Sequence, residues 1–196
     1  MEEQLKTDFE KIIKNSNYNE NDIIFKKNNL NKFLSSGFPN KKLENWKFSD
    51  LKHIINKNID NLSFYNDYSS PNKLNPSIYF AGLEHNKIVF INGRIEKIDF
   101  KYEEKDKIEI LDKVELKTNI KDINSLVSLN NALANKYYKI VVKKNYITKK
   151  PIIIYHTTDK KIKSKNINLR LDFELEPNSS LKIVDVFNDL SEKNFI

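Results

Sequence analysis

Apolar positions in the first third of the chain recur at helical spacing. Leu5, Phe9, Ile12 and Ile13 stand at i, i+4, i+7 and i+8, so one face of a helix collects them. A second set, Ile23, Ile24, Leu30, Phe33 and Leu34, has Asp22 just before it and Gly37 just after, residues suited to cap a helix at its two ends. Phe38-Pro39 then breaks the pattern. Ser49 is placed to cap a third, short helix carrying Leu51, Ile54 and Ile55. Residues 58–76 are rich in Asn, Ser and Tyr, contain Pro71 and Pro76, and read as a connecting loop.

Beyond the loop the period changes to alternation. Ile78-Tyr79-Phe80, Lys87 to Ile91 and Arg94 to Phe100 predict strands, the last two joined by Asn92-Gly93, a dipeptide suited to a type I′ hairpin turn. A helix over 122–137 interrupts them, with Ile123, Leu126, Val127 and Leu133 on one face and Asp122 as its cap. Strands resume over 138–143, 151–156, 167–176 and 180–187, their starts spaced by roughly a dozen residues, as in sheets of short repeated strands. In the third of these, Ile167, Leu169, Leu171, Phe173 and Leu175 alternate with Asn168, Arg170, Asp172, Glu174 and Glu176, which predicts one buried face. Pro177-Asn178 turns the chain into Leu181 to Phe187, apolar on both faces and expected to be covered on both. Asn194-Phe195-Ile196 resembles the opening of another strand, so an open sheet edge is expected, covered by a partner or continued by a longer chain.

Composition changes this picture little. The 196 residues, with 12 Phe and 9 Tyr, hold enough apolar material for a core although only 39% are hydrophobic. The net charge of +7 raises a nucleic-acid reading. Against it, all but two of the 34 basic residues are lysines, whereas base and phosphate recognition favours the planar fork of arginine. Lys, Asn and Ile share AT-rich codons, and compositional bias is the simpler source of the charge. With no cysteine, the chain has no disulfide, thiol nucleophile or thiolate ligand. Met1-Glu2-Glu3-Gln4 is no signal-peptide start, and the longest apolar run, Ile152 to Tyr155, is strand-sized; the cytosol is the expected compartment and no membrane partner is expected.

Candidate chemistry is sparse. Nucleotide-loop and hydrolase motifs are missing, and three glycines leave little for a phosphate cradle. His53, His85 and His156 lie far apart and read as structural residues. Glu103-Glu104 and Asp106 read as a solvated acidic face. Trp46, the sole tryptophan, is expected to anchor the helical part on the sheet, and Arg170 to form a cross-strand ion pair. No catalytic, cofactor-binding or metal-ligating residue is assigned.

These signals combine into a resemblance. Phe38-Pro39 followed by Lys42, Glu44 and Trp46-Lys47-Phe48-Ser49-Asp50-Leu51 resembles a segment of SufD-type proteins, subunits of the SufBCD iron–sulfur cluster assembly machinery. Ile88 to Gly93, Ser128 to Leu133, Lys150 to Ile154 and Asn168 to Ser180 are similar to later family segments in the same order. The departures are Lys42 for Arg, Phe48 for Tyr and Ser49 for Thr. The resemblance implies an α+β chain: an N-terminal helical domain over 1–57, the loop 58–76, and over 77–196 a β-rich region leading into the first part of a right-handed parallel β-helix. It also implies a scaffold subunit without catalysis of its own, working with SufB-like and SufC-like partners. ATPase activity would belong to SufC, and the iron–sulfur cluster, with FAD as a further candidate, to the assembled complex rather than to this chain. Family members are longer, so the chain is expected to be a front half lacking the SufC-docking region. The competing readings are a basic nucleic-acid-binding domain and, behind it, a carbohydrate-active β-helix enzyme using Asp172, Glu174 and Glu176.

Overall fold

The computed structural model describes residues 1–59, 61–65, 79–112, 124–159 and 162–189. Helix α1, Glu2–Lys14, buries Leu5, Phe9 and Ile12, with Glu2 and Glu3 in its first turn and Lys11 and Lys14 in its last, which complements the helix dipole. Helix α2, Glu20–Ser36, begins earlier than its apolar stripe: the Asn19 side chain, not that of Asp22, is the cap, accepting from the Asp22 amide at 2.8 Å. It ends at Gly37, whose positive φ of 70° suits glycine. Helix α3, Leu51–Asn58, is capped by Asp50 rather than Ser49, through a 3.0 Å bond from the His53 amide. Helix α4, Ser125–Leu133, is shorter than its sequence pattern and is capped by Asn124. The expected cap Asp122 and Ile123 lie outside the described residues.

Among the described residues, seven strands follow the first three helices: β1 Asn86–Ile91, β2 Arg94–Asp99, β3 Ile108–Asp112, β4 Tyr137–Val142, β5 Ile152–Thr158, β6 Arg170–Leu175 and β7 Ile183–Asp189. They form one sheet in the order β2-β1-β5-β7 and another in the order β3-β4-β6. Asn92 and Gly93 both have positive φ, 53° and 82°, as the type I′ turn between β1 and β2 requires. The expected strand at 78–80 does not form at Tyr79 and Phe80, and Ile78 lies outside the described residues. Strand β3 was not expected.

Two larger cores and a smaller one hold these elements. Leu5, Phe9 and Ile12 of α1 meet Leu30 and Phe33 of α2, Ile55 of α3, and Leu129, Ala132 and Leu133 of α4. Helix α4 therefore belongs with the N-terminal helices in space, although it follows β3 in the chain. Between the sheets, Ile88 and Phe90 of β1 and Ile152 and Ile154 of β5 pack with Tyr138 and Ile140 of β4. The alternate residues Val89, Ile91, Ile153 and Tyr155 form a smaller cluster on the opposite face. Strands β1 and β5 are thus apolar on both faces because both faces are covered.

The α+β composition holds, but the right-handed parallel β-helix does not. Both sheets are mixed and open, with four and three strands, and neither coils into a solenoid. Parallel pairs do occur, β1·β5, β5·β7 and β4·β6, yet each sheet also contains an antiparallel pair, β1·β2 or β3·β4. The Asn92-Gly93 turn folds β2 straight back on β1, whereas successive coils of a parallel solenoid run in one direction. Regular strand spacing reports the length of strands and turns; it does not report direction or sheet membership.

Candidate functional site

Among the described residues each sheet has two edge strands, β2 and β7 in one and β3 and β6 in the other, and β6 and β7 expose more large apolar side chains than β2 and β3. Among the described residues β7 pairs only with β5, and β6 only with β4. Leu181 to Phe187 was expected to be covered on both faces. Instead Ile183, Val184 and Phe187 are 37%, 44% and 61% exposed, and Phe173 and Leu175 of β6 are exposed as well. Leu181 and Val186 still pack against the inner clusters, so the apolar exposure is confined to Ile183, Val184 and Phe187 of this stretch.

Strand register builds the most ordered part of this edge. Phe90 of β1 is in register with His156 of β5, and His156 with Phe187 of β7. The three rings stack, with centroids 5.2 Å and 4.6 Å apart and planes within 8° of parallel. His156 Nε2 lies 3.3 Å from Asp185 Oδ1. Burial pushes the imidazole pKa below its ordinary value, and the nearby Asp185 carboxylate only partly offsets that. Beside the ladder runs a groove of about 350 Å³, apolar along Leu129, Leu169, Leu171 and Phe187 and polar at Asn130 and His156.

The other sequence candidates are dispersed. His53 is exposed on α3. His85 is buried, with Nδ1 2.6 Å from the Leu83 carbonyl and Nε2 2.8 Å from the Tyr155 hydroxyl. Trp46 is only partly buried on a 3₁₀ turn, Glu44–Trp46, and joins none of the three clusters, so it does not anchor helices to sheet. Arg170 pairs along its own strand: it donates to both carboxylate oxygens of Asp172 at 2.9 and 3.0 Å. Residues i and i+2 share a strand face, which puts this partner within easy reach.

Glu103 is not part of a solvated acidic face. Its carboxylate accepts from the Lys149 and Lys150 amides, the Tyr146 hydroxyl and the Asn86 side chain, at 2.6–3.1 Å. Burial alone would raise its pKa, but these donors outweigh burial and hold the group below its ordinary value. Glu104 pairs with Lys149 at 3.1 Å, and Asp106 occupies a turn position with φ 62°. The acids proposed for sugar chemistry are engaged with cations: Asp172 with Arg170, Glu174 with Lys139 at 2.6 Å, and Glu176 with Lys143 at 3.6 Å. Lys139 holds Glu174 below the ordinary carboxylate range, the reverse of what a general acid needs. Among the described residues, no three His, Asp or Glu side chains gather as a metal site would need.

Sequence reasoning missed Lys26. It is wholly buried on α2, and its ammonium donates to the Ala132 and Ala134 carbonyls at the end of α4 and to the Tyr137 hydroxyl. The Tyr18 and Tyr137 rings lie 4.7 and 5.3 Å away. Burial pulls its pKa down to about 7, against the opposing pull of Asp22. The group closes the C-terminal end of α4 and fixes α4 on α2. One lysine among so many carries no sequence signal for such a role.

No helix among the described residues is long and apolar enough to cross a membrane. No protein-family model and no curated protein matches the chain.

Proposed function

We propose that the chain is a SufD-like scaffold component of a SufBCD-type iron–sulfur cluster assembly machinery, offering sheet edges to partner subunits. The carrying observation is the edge strands β6 and β7, one in each sheet, each parallel to its neighbour. Each has a single strand neighbour among the described residues, and each exposes apolar side chains beside that free edge. Such an edge presents unpaired amides and carbonyls together with apolar surface, the combination that β-strand addition uses. The second support is the segment from Phe38 to Leu51, whose residue order resembles the SufD-type segment. The chain contributes shape and contacts, a SufC-like partner supplies ATP hydrolysis, and the cluster is cargo of the assembly.

Co-expression with SufB-like and SufC-like subunits tests this. A stable complex is expected on size exclusion, and Val184→Lys, a substitution at a half-exposed position, is expected to release the chain from it. Recovery of the unaltered chain free of both partners would overturn the proposal. A complex that ignores the β7 substitution would move the contact elsewhere.

A further inference from the structure

The segment from Pro39 to Leu51 is a small built loop. The Leu51 amide donates to the Pro39 carbonyl at 3.2 Å and closes its neck. Inside, the Leu43 amide bonds to Asn40, Trp46 to Leu43 and Ser49 to Trp46, at 2.7–3.0 Å, and the Asn40 side chain accepts from the Lys42 amide at 2.9 Å. Asp50 is held as the cap of α3. With the loop's turns closed by its own backbone bonds, it keeps its shape without help from a neighbour.

What this loop displays is unusual. Phe48 is 87% exposed and Leu43 51% exposed, with the partly buried Trp46 between them in sequence. Lys41, Lys42, Lys47 and Lys52 surround them, all exposed, and outnumber the loop's acids, exposed Glu44 and the cap Asp50; among the described residues none of the four forms an ion pair, and the Lys47 ammonium lies over the Phe48 ring at 5.0 Å. Exposed lysines without an ion pair occur elsewhere too, as at Lys14, Lys27 and Lys57; here they stand beside the most exposed large apolar side chain among the described residues, Phe48. Free lysines around outward-pointing apolar side chains fit an anionic surface with a shallow apolar layer beneath it. Aromatic rings favour that interfacial depth, and lysine stems lie along the apolar layer while their charges stay in the headgroups. A partner requiring fixed bidentate geometry would favour arginine, and the loop has none.

We propose that the Pro39–Leu51 loop is a peripheral docking site for an anionic phospholipid surface, with Phe48 and Leu43 entering the interface and Lys41, Lys42, Lys47 and Lys52 meeting the headgroups. This contact is additional to the scaffold role and does not rest on it; it also departs from the expectation that the chain has no membrane partner. The contact is peripheral: no helix among the described residues is long and apolar enough to cross the bilayer.

The full chain is mixed with vesicles of phosphatidylcholine containing about one-third phosphatidylglycerol, and separately with phosphatidylcholine alone. Trp46, the single tryptophan, reports on the loop directly. Co-sedimentation with the anionic vesicles and a blue shift of Trp46 emission are expected, with at least fivefold less protein on the neutral ones. Phe48→Ser is expected to lower the bound fraction at least fivefold at unchanged circular dichroism, since the side chain is 87% exposed and joins no core cluster. Added salt is expected to weaken binding. Absence of sedimentation with anionic vesicles at low salt overturns the proposal, as does equal binding by the Phe48→Ser chain, which would show general basic attraction without insertion. A Trp46 shift that needs a purified SufB-like or SufC-like subunit and not vesicles also overturns it, assigning the loop to a protein partner.

Discussion

Lys26 shows how much a single residue can carry when its surroundings contradict its chemistry. Its ammonium has no contact with water and finds three oxygen acceptors and two aromatic faces instead. Its pKa falls to about 7, while the unfolded chain holds the proton to near pH 10.4, so the unfolded state binds more protons between these values. Stability attributable to this site therefore rises with pH above about 7, and below that the full penalty of burying the charge remains. Lys26→Met removes the titrating group but leaves the α4 carbonyls unmet. Compared with that variant in urea unfolding from pH 7 to 9, the natural chain is expected to gain stability by up to about 1.4 kcal/mol per pH unit. Parallel pH profiles would sink this reading of Lys26. Nothing in the sequence marks the residue, because its role depends on carbonyls that lie more than a hundred positions away.

At the scale of elements, strand β7 is held by contacts that only register creates. Phe187 reaches His156 because β7 lies parallel to β5 with those residues opposed. The depressed His156 pKa gives this contact a pH dependence. The unfolded chain takes up the proton near pH 6.5 and the folded one only lower, so the site's stability is intact above 6.5 and shrinks as pH falls toward the folded value. The imidazole proton resonances are expected to titrate with a midpoint below 6.5, and Asp185→Asn to lower it further by removing a nearby anion. A midpoint at or above 6.5 would contradict a stacked, desolvated ring. Helices α1 and α2 and the β1–β2 hairpin were legible because their signals are local: a periodic stripe, a terminal glycine, an Asn-Gly pair. Strand β3 was not, although Ile108 and Ile110 alternate with Glu109. Its pattern spans five residues between charged flanks, and pairing with β4 is what makes it a strand. The caps of α2 and α3 were displaced because several Asn, Asp and Ser stand near each start, and the choice among them is made by backbone angles.

For the whole molecule, the decisive property is that, among the described residues, two facing sheets end in strands paired on one side only. Alternate amides of β7 that face away from β5 are expected to exchange hydrogen at rates close to those of exposed loops, while those bonded to β5 exchange slowly. Mass-spectrometric exchange on the isolated chain measures this, and uniform slow exchange along β7 would mean that its edge is covered. From the sequence alone came the helical front, the change to alternating strands, the hairpin turn and the lack of thiol chemistry, each written in neighbouring residues or in composition. Only the tertiary structure decided that the sheets are mixed and open rather than coiled, that α4 joins the N-terminal helices, that Glu103 ties distant backbone segments together and that Lys26 is buried. Those outcomes depend on which distant segments meet, and local periodicity records how a residue faces its own element without recording what that element will lie against.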